Sequence, residues 1–249
     1  MNITHAIALV TGAHGGIGRA FVADLLRRGA AKVYVTARDT ASLADLLAGA
    51  DPRLVPLVLD VTNAAHIAQA AIDAPDVSLL INNAGYAAFQ GAMAAPQLDD
   101  ARREMEVNYF GPLALTRAFA PVLAASGGGA IVNMLSMAAL VSLPVAGSYS
   151  ASKAAFLSVT RSIRAELAAQ GTAVVGVLAV QTETAIGHRL PEPRMAPHEV
   201  VTDTLDAVEA GKNEEIAAGP LTQGAYQAFT ADPKAFQARF SSRLPHPAR

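Results

Sequence analysis

Two periods alternate along this chain, and that alternation constrains the fold more than any other feature. Short apolar, β-branched runs recur at Ala6–Thr11, Lys32–Thr36, Leu54–Leu59, Val77–Ile81, Ala130–Asn133 and Ala173–Leu178, with a weaker seventh at Glu215–Ala218. Several are apolar throughout, the pattern of parallel strands covered on both faces. Helical periods fill the gaps. Ile17, Phe21 and Leu25 stand at i, i+4, i+8, and Phe156, Val159, Ile163 and Leu167 at spacings of three and four. Gly29 and Gly171 sit where these helices should stop. Strand–helix alternation at this pitch predicts an α/β fold: a doubly wound parallel sheet of about seven strands with helices on both faces.

No repeat, charge block or linker divides the 249 residues, so 1–249 reads as one domain. Residues 180–198, with Pro191, Pro193 and Pro197, read as a long irregular loop on the substrate side. Residues 220–249 read as a C-terminal tail without assigned structure. With 52% hydrophobic and 16% charged residues, the chain is not a disordered one. A net charge of -2 offers no basic field for a phosphate backbone, so no nucleic-acid partner is expected. The chain has no cysteine, which excludes disulfides and thiolate chemistry. His5, His66, His188, His198 and His246 lack metal-site spacing, so no metal is expected. The most apolar stretch, Ala130–Ala146, is broken by Asn133, Ser136, Ser142 and Pro144, short of the ~20 apolar residues a membrane span needs. The start, Met-Asn-Ile-Thr-His, carries no basic n-region. The expectation is a cytoplasmic protein without membrane partners.

The first strand runs directly into Thr11-Gly12-Ala13-His14-Gly15-Gly16-Ile17-Gly18, and a helix follows. Glycines let the backbone approach a pyrophosphate closely, and the helix N-terminus offers free N–H groups. Four glycines in eight residues also suit a plain tight turn; the strand before and the helix after favour dinucleotide binding on a Rossmann-type sheet.

The spacing is TGxxxGxG, and here the chain resembles the short-chain dehydrogenase/reductase family, in its short-subunit branch, over nearly its whole length. Asn82-Asn83-Ala84-Gly85 follows strand four, Asn108 lies in Val107-Asn108-Tyr109-Phe110-Gly111, Ser136 closes the strand-five segment, and Tyr149-Ser150-Ala151-Ser152-Lys153 forms YxxxK. Reducing a ketone requires a proton donor for the nascent alkoxide. A tyrosine at its free pKa of ~10 is a poor base near neutrality. A nearby cation stabilises the phenolate, and residues four apart on a helix share one face. The resemblance implies that Tyr149 is the general acid/base. It implies that Lys153 lowers the Tyr149 pKa and holds the nicotinamide ribose, that Ser136 donates to the carbonyl oxygen, and that Asn108 anchors a water leading to Lys153. The cofactor-binding set it implies is Gly12, His14, Gly16, Ile17, Gly18, Arg38, Asp60, Val61, Asn83, Ala84, Gly85, Tyr149, Lys153, Thr182 and Thr184. Taken singly, Tyr149 also suits a half-buried helix position, Lys153 a solvated one, and Ser136 a strand end.

Strand two ends Val35-Thr36-Ala37-Arg38-Asp39. An NAD enzyme of this fold usually places an acid there for the ribose hydroxyls. Arg38, a planar cation, suits a 2′-phosphate, and TAR here resembles NADPH-preferring members, so NADP(H) is the expected cofactor. The basic residue that many members carry at the position of Gly15 is missing. Asp60-Val61 matches the family pair that faces adenine, although Asp60 also suits a helix-leading acid before Thr62. One departure stands out: where the family usually shows PGxxxT, this chain reads Ala179-Val180-Gln181-Thr182-Glu183-Thr184, with Val180 placed to reshape the pocket. Asp99-Asp100 and Glu214-Glu215 read as solvated ends of a helix and a strand.

The expected function is that of an NADP-dependent oxidoreductase passing hydride between NADP(H) and a largely hydrophobic ketone, aldehyde or secondary alcohol. Met137, Leu140, Val141, Leu143 and Val145 are candidate lining, or simply core. The alternative is a non-catalytic NADP(H)-sensing protein on the same fold. The resemblance also implies a homotetramer, or a homodimer, through helices at about Gln97–Ala125 and Ser148–Gln170 and the last strand. The small residues Ala151, Ala154, Ala155 and Ser158 either permit close helix approach or pack on the sheet.

Overall fold

The structure, a computed structural model, describes residues 1–245. Residues 246–249, which include His246 and the end of the expected tail, lie outside the described residues. Seven strands form the sheet: β1 (Ile7–Val10), β2 (Lys32–Ala37), β3 (Leu54–Val58), β4 (Leu79–Asn82), β5 (Ala130–Met134), β6 (Ala173–Leu178) and β7 (Glu215–Ala217). All pairings are parallel, in the order β3-β2-β1-β4-β5-β6-β7. The helices are α1 (Gly16–Arg27), α2 (Ala44–Leu47), α3 (Ala64–Asp73), α4 (Asp99–Met105), α5 (Gly111–Ala125), α6 (Gly147–Glu166), α7 (Pro197–Glu209), α8 (Pro220–Ala231) and α9 (Pro233–Ala238).

Side-chain alternation explains why the strands read apolar throughout. Ala8, Val10, Leu79, Ile81, Val132, Val175 and Val177 pack with α1 and α7 on one face. Leu9, Leu80, Ile131 and Val174 pack with α3, α5 and α6 on the other. Each strand must therefore be apolar at successive positions.

Three expectations are corrected. Part of the tail is ordered as α8 and α9, whose Phe229, Phe236 and Phe240 form an aromatic cluster. The long helix expected at Gln97–Ala125 is two α-helices joined by a π-turn, Glu106–Phe110, a distortion frequent at functional sites. The acids at Asp99-Asp100 and Glu214-Glu215 are only in part solvated ends. Asp100 accepts from Tyr86 Oη (2.6 Å) and Gln90 Nε2 (2.8 Å), and Glu215 accepts from Arg161 and Arg164. Among the described residues no helix is long and apolar enough to cross a membrane.

Candidate active site

Strand order reverses between β1 and β4, and a crevice opens there at the carboxyl ends of the strands. Thr11 clamps the two strand ends together. Its Oγ1 accepts from Asn83 N (2.8 Å) and Ala84 N (2.9 Å), while Asn83 Nδ2 donates to the Thr11 carbonyl at 2.8 Å. Gly12 is left-handed (φ 63°), and at Gly18 a Cβ would strike the Gly12 carbonyl. A Cβ at Gly16 would lie 2.9 Å from Thr184 Cγ2. No side chain caps α1, so the amides of its first turn are free for a ligand.

A groove of about 690 Å³ gathers most of the expected cofactor set. Gly12, His14, Gly16, Ile17 and Gly18 line one side; Arg38, Asp60 and Val61 close the far end; Asn83, Ala84, Gly85 and Thr184 complete it. Thr182 lies instead on the neighbouring cavity. Asp60 turns back on its own loop, accepting from Thr62 N (2.9 Å) and Thr62 Oγ1 (2.7 Å). Burial works to raise its carboxyl, but those bonds and the Arg38 charge hold it below the usual range. A bare-backbone cradle, an uncapped helix start and a cation at the strand-two end together fit a dinucleotide.

A second cavity, about 400 Å³, holds Ser136, Tyr149 and Lys153, and shares Ile17, Asn83, Gly85, Thr184 and Ile186 with the groove. Tyr149 and Lys153 stand one turn apart on α6. Lys153 is buried, its Nζ donates to the Met134 carbonyl at 2.8 Å, and it lies 5.9 Å from the Tyr149 ring centroid. Ser136 Oγ accepts from Ala138 N (3.1 Å) and donates to the Ala179 carbonyl over a long 3.3 Å. Burial pushes the Tyr149 phenol up to about 12; the Ser136 hydroxyl offsets part of that rise and the Glu104 carboxylate adds to it. Burial likewise pushes Lys153 down to about 8. Desolvation thus moves the two groups in opposite directions, and the lowering of Tyr149 expected from Lys153 is not found in this geometry, where Lys153 Nζ is held by the Met134 carbonyl.

Asn108 sits in the π-turn beside this cavity. Its Oδ1 accepts from Tyr86 N (2.9 Å), and its Nδ2 donates to the Tyr86 carbonyl (2.8 Å) and to Ser152 Oγ (3.0 Å). Ser152 Oγ in turn donates to the Tyr149 carbonyl at 2.8 Å. Gly85 lies against both groups: a Cβ there would stand 3.5 Å from Asn108 Oδ1 and 3.9 Å from Lys153 Nζ, ordinary contact distances. Asn82, by contrast, is scaffolding: it donates to Asn133 and Thr116 between β4, β5 and α5.

Of the candidate lining, Met137, Val141 and Leu143 face the Tyr149 cavity together with Val180. Leu140 packs into the core instead, and Val145 lines an adjoining recess. Helices α8 and α9 supply Leu221, Ala225 and Phe236 to the cavity. Gln237 ties α9 to the loop before α6, exchanging 2.8 Å bonds with Ser142 N and O.

Sequence reasoning missed several residues here. Arg103 lines the groove with its guanidinium 4.2 Å from the Tyr86 ring centroid; its place just ahead of Asn108 on one helix was a usable signal. Glu104 is fully buried; Oε1 accepts from Ala88 N at 2.8 Å while Oε2 has no partner. Phe89 adopts a left-handed φ of 55°, a conformation that costs a non-glycine residue ~1–3 kcal/mol. Its ring stacks 6.4 Å from Tyr149, and the Arg189 guanidinium lies 4.9 Å from its centroid. No local pattern marks Glu104 or Phe89.

The short chain dehydrogenase family profile matches residues 6–194. A crystal structure of a short chain dehydrogenase from Burkholderia cenocepacia J2315 in complex with NADP is 43% identical, with a TM-score of 0.90 over 97% of this chain and 100% of the other. Galactitol 2-dehydrogenase (L-tagatose-forming) of Cereibacter sphaeroides is 36% identical over 231 residues, 87% of this chain and 86% of the relative. NAD-dependent glycerol dehydrogenase of Listeria innocua is 30% identical over 225 residues, 88% and 87% of the two chains.

Proposed function

Because this chain belongs to the short-chain dehydrogenase family, oxidoreductases that interconvert alcohols and carbonyls with a nicotinamide cofactor, we propose that it is an NADPH-preferring reductase of largely hydrophobic ketones or aldehydes. The observation that carries this reading is the continuity of the two cavities: Ser136, Tyr149 and Lys153 open onto the end of the glycine-turn groove. Gly12, Gly16, Ile17 and Gly18 would hold the pyrophosphate, Arg38 the 2′-phosphate, and Thr182 and Thr184 the carboxamide end. When bound, NADPH supplies the hydride. Tyr149 keeps its proton at neutral pH, the form that reduction requires, and delivers it to the carbonyl oxygen. Ser136 can turn its hydroxyl from the long bond to Ala179 toward that oxygen. Lys153, largely protonated at pH 7, holds the ribose and replenishes the proton. Asn108 locks α6 to the Tyr86 loop and so fixes where Tyr149 stands.

Arg38 supports NADPH over NADH: no acid occupies Ala37, and Arg38 has no ion-pair partner among the described residues. Met137, Val141, Leu143 and Val180 give the cavity an apolar wall, which supports a hydrophobic carbonyl over the polyols named for two relatives, with Gln181 and Thr182 as polar members of the same lining. We also infer assembly through α6, because Ala151, Ala154 and Ser158 are exposed and do not pack on the sheet; light scattering showing a monomer at all concentrations would overturn that. The function is tested by NADPH oxidation with a panel of aryl, alkyl and keto-ester substrates. Bound NADPH that no carbonyl in the panel discharges would instead favour a sensing protein.

A further inference from the structure

The cavity around Tyr149 does not end at its apolar walls. It continues into a recess of about 610 Å³ that shares Phe89, Leu143, Leu190, Pro191, Phe240 and Arg243 with it. Two cations stand in this recess, Arg189 and Arg243. Each lies over an aromatic ring, Arg189 4.9 Å from the Phe89 centroid and Arg243 5.3 Å from that of Phe240. Contact with a ring face leaves guanidinium N–H groups able to donate elsewhere; of these, Arg189 Nη1 makes one long 3.5 Å bond, to the Ala87 carbonyl. Among the described residues neither arginine forms an ion pair, and no acidic side chain lines the recess or the Tyr149 cavity. Phe89 joins the two ends, stacking on Tyr149 as well as under Arg189. An apolar passage therefore runs from the proton donor to two uncompensated cations.

We propose that the substrate is a carbonyl compound whose apolar body ends in an oxyanion, a carboxylate or a phosphate monoester, held by Arg189 and Arg243 while the carbonyl meets Tyr149. This rests on the reading of Tyr149 as the reacting end, and the test separates the two.

Binding is measured first, without turnover, by calorimetry on the NADP-loaded protein with decanoate, decyl phosphate and decanol. At least one anion should bind about tenfold or more tighter than decanol, as charge-assisted contacts allow, and the stronger of the two identifies the headgroup. The preference should be lost in Arg189→Ala/Arg243→Ala and reversed against anions in Arg189→Glu/Arg243→Glu, but kept in Arg117→Ala, an exposed cation on α5. Turnover is then compared for an oxo acid, an oxoalkyl phosphate and a neutral ketone of equal chain length. The ratio of kcat/KM, anionic over neutral, should fall by about tenfold or more in the double alanine variant. Equal binding of anions and decanol, or a preference untouched by both double variants, overturns the anion site. Arginine-dependent anion binding with no reduction of any of the three carbonyls supports the site and overturns the oxidoreductase reading instead.

Discussion

The nucleotide end and the substrate end of this protein are built by different means. At the nucleotide end, the groove is made of strand ends and bare backbone: Gly12 to Gly18 after β1, Arg38 after β2, Asp60 after β3, Asn83 to Gly85 after β4. Each contributor occupies a place that the alternation of strand and helix already determines. At the substrate end, the walls come from segments distant in sequence: Phe89, the loop Val141–Leu143, the segment around Val180–Pro193, and α8 and α9. The carboxyl ends of adjacent strands position the first set, whereas packing and hydrogen bonds between segments distant in sequence, such as Gln237 with Ser142 and Thr222 with Val180, position the second. The nucleotide end should therefore respond to single atoms at fixed positions, and the substrate end to collective loss of packing.

The largest effect expected breaks the chemistry and spares both ends. Tyr149→Phe removes the proton donor, and since general acids contribute typically 10²–10⁴-fold, kcat should fall by at least ~10². NADPH affinity by fluorescence titration should hold; near-normal turnover would refute the role. At the nucleotide end, Arg38→Ala should weaken NADPH by roughly ten- to hundred-fold, the value of a charged hydrogen bond of ~1.5–3 kcal/mol, with Gly15 favouring the lower figure. NADH should change little. Ala37→Asp should go further and favour NADH, because a carboxylate repels the phosphate and accepts from the ribose hydroxyls. Competitive titration decides both, and unchanged NADPH binding in Arg38→Ala would make Arg38 an ordinary turn residue.

Lys153 sharpens the comparison through stability. Its pKa is depressed to about 8 in the fold, against ~10.4 in an unfolded chain. The unfolded chain then binds more protons between those values, so wild-type stability gains with rising pH across that window. Lys153→Met removes the buried charge and should raise the thermal midpoint at pH 7 by a few degrees, at about 2–4 °C per kcal/mol for a chain this size. The difference should shrink between pH 8 and 10.5; a pH-independent difference would assign it to packing. The smallest effect belongs to Glu104. Glu104→Gln keeps the bond to Ala88 N but deletes a charge that raises Tyr149. The phenolate titration of Tyr149, read by ultraviolet difference against Tyr149→Phe, should move down in pH; an unchanged titration would show that the Glu104 charge does not reach Tyr149. Tyr86, which Glu104 also raises, is the group to separate from it by Tyr86→Phe.

The contrast between the two ends is also one of legibility. The parallel sheet and the glycine turn follow from periodicity and punctuation, and the boundaries of β6 were legible to the residue, Ala173–Leu178; the strand order was not read from the sequence. Tyr149 and Lys153 stood out through the resemblance of their YxxxK spacing to a known family, and helix geometry added only that residues four apart share one face. The π-turn around Asn108 was not legible: five residues of wider turn are too short to show against the period of the flanking helices, and the backbone alone reveals it. Glu104 lies among charged neighbours, Arg102, Arg103 and Glu106, and only the fold shows that it is buried. α8 and α9 went unassigned because Phe229, Phe236 and Phe240 find one another only after folding.

By itself the sequence determined the parallel α/β sheet and a glycine turn between its first strand and first helix, with a cation at the end of the second strand; Ser136, Tyr149 and Lys153 stood out through the family resemblance. These depend on spacing along the chain, which local geometry converts directly into position. Only the tertiary structure decided that Tyr149 and Lys153 are desolvated enough to move apart in pKa, that Phe89 lies against Tyr149, and that the cavity leads to Arg189 and Arg243. Desolvation and cavity shape depend on every element that surrounds a group, and most of those elements are far from it in sequence.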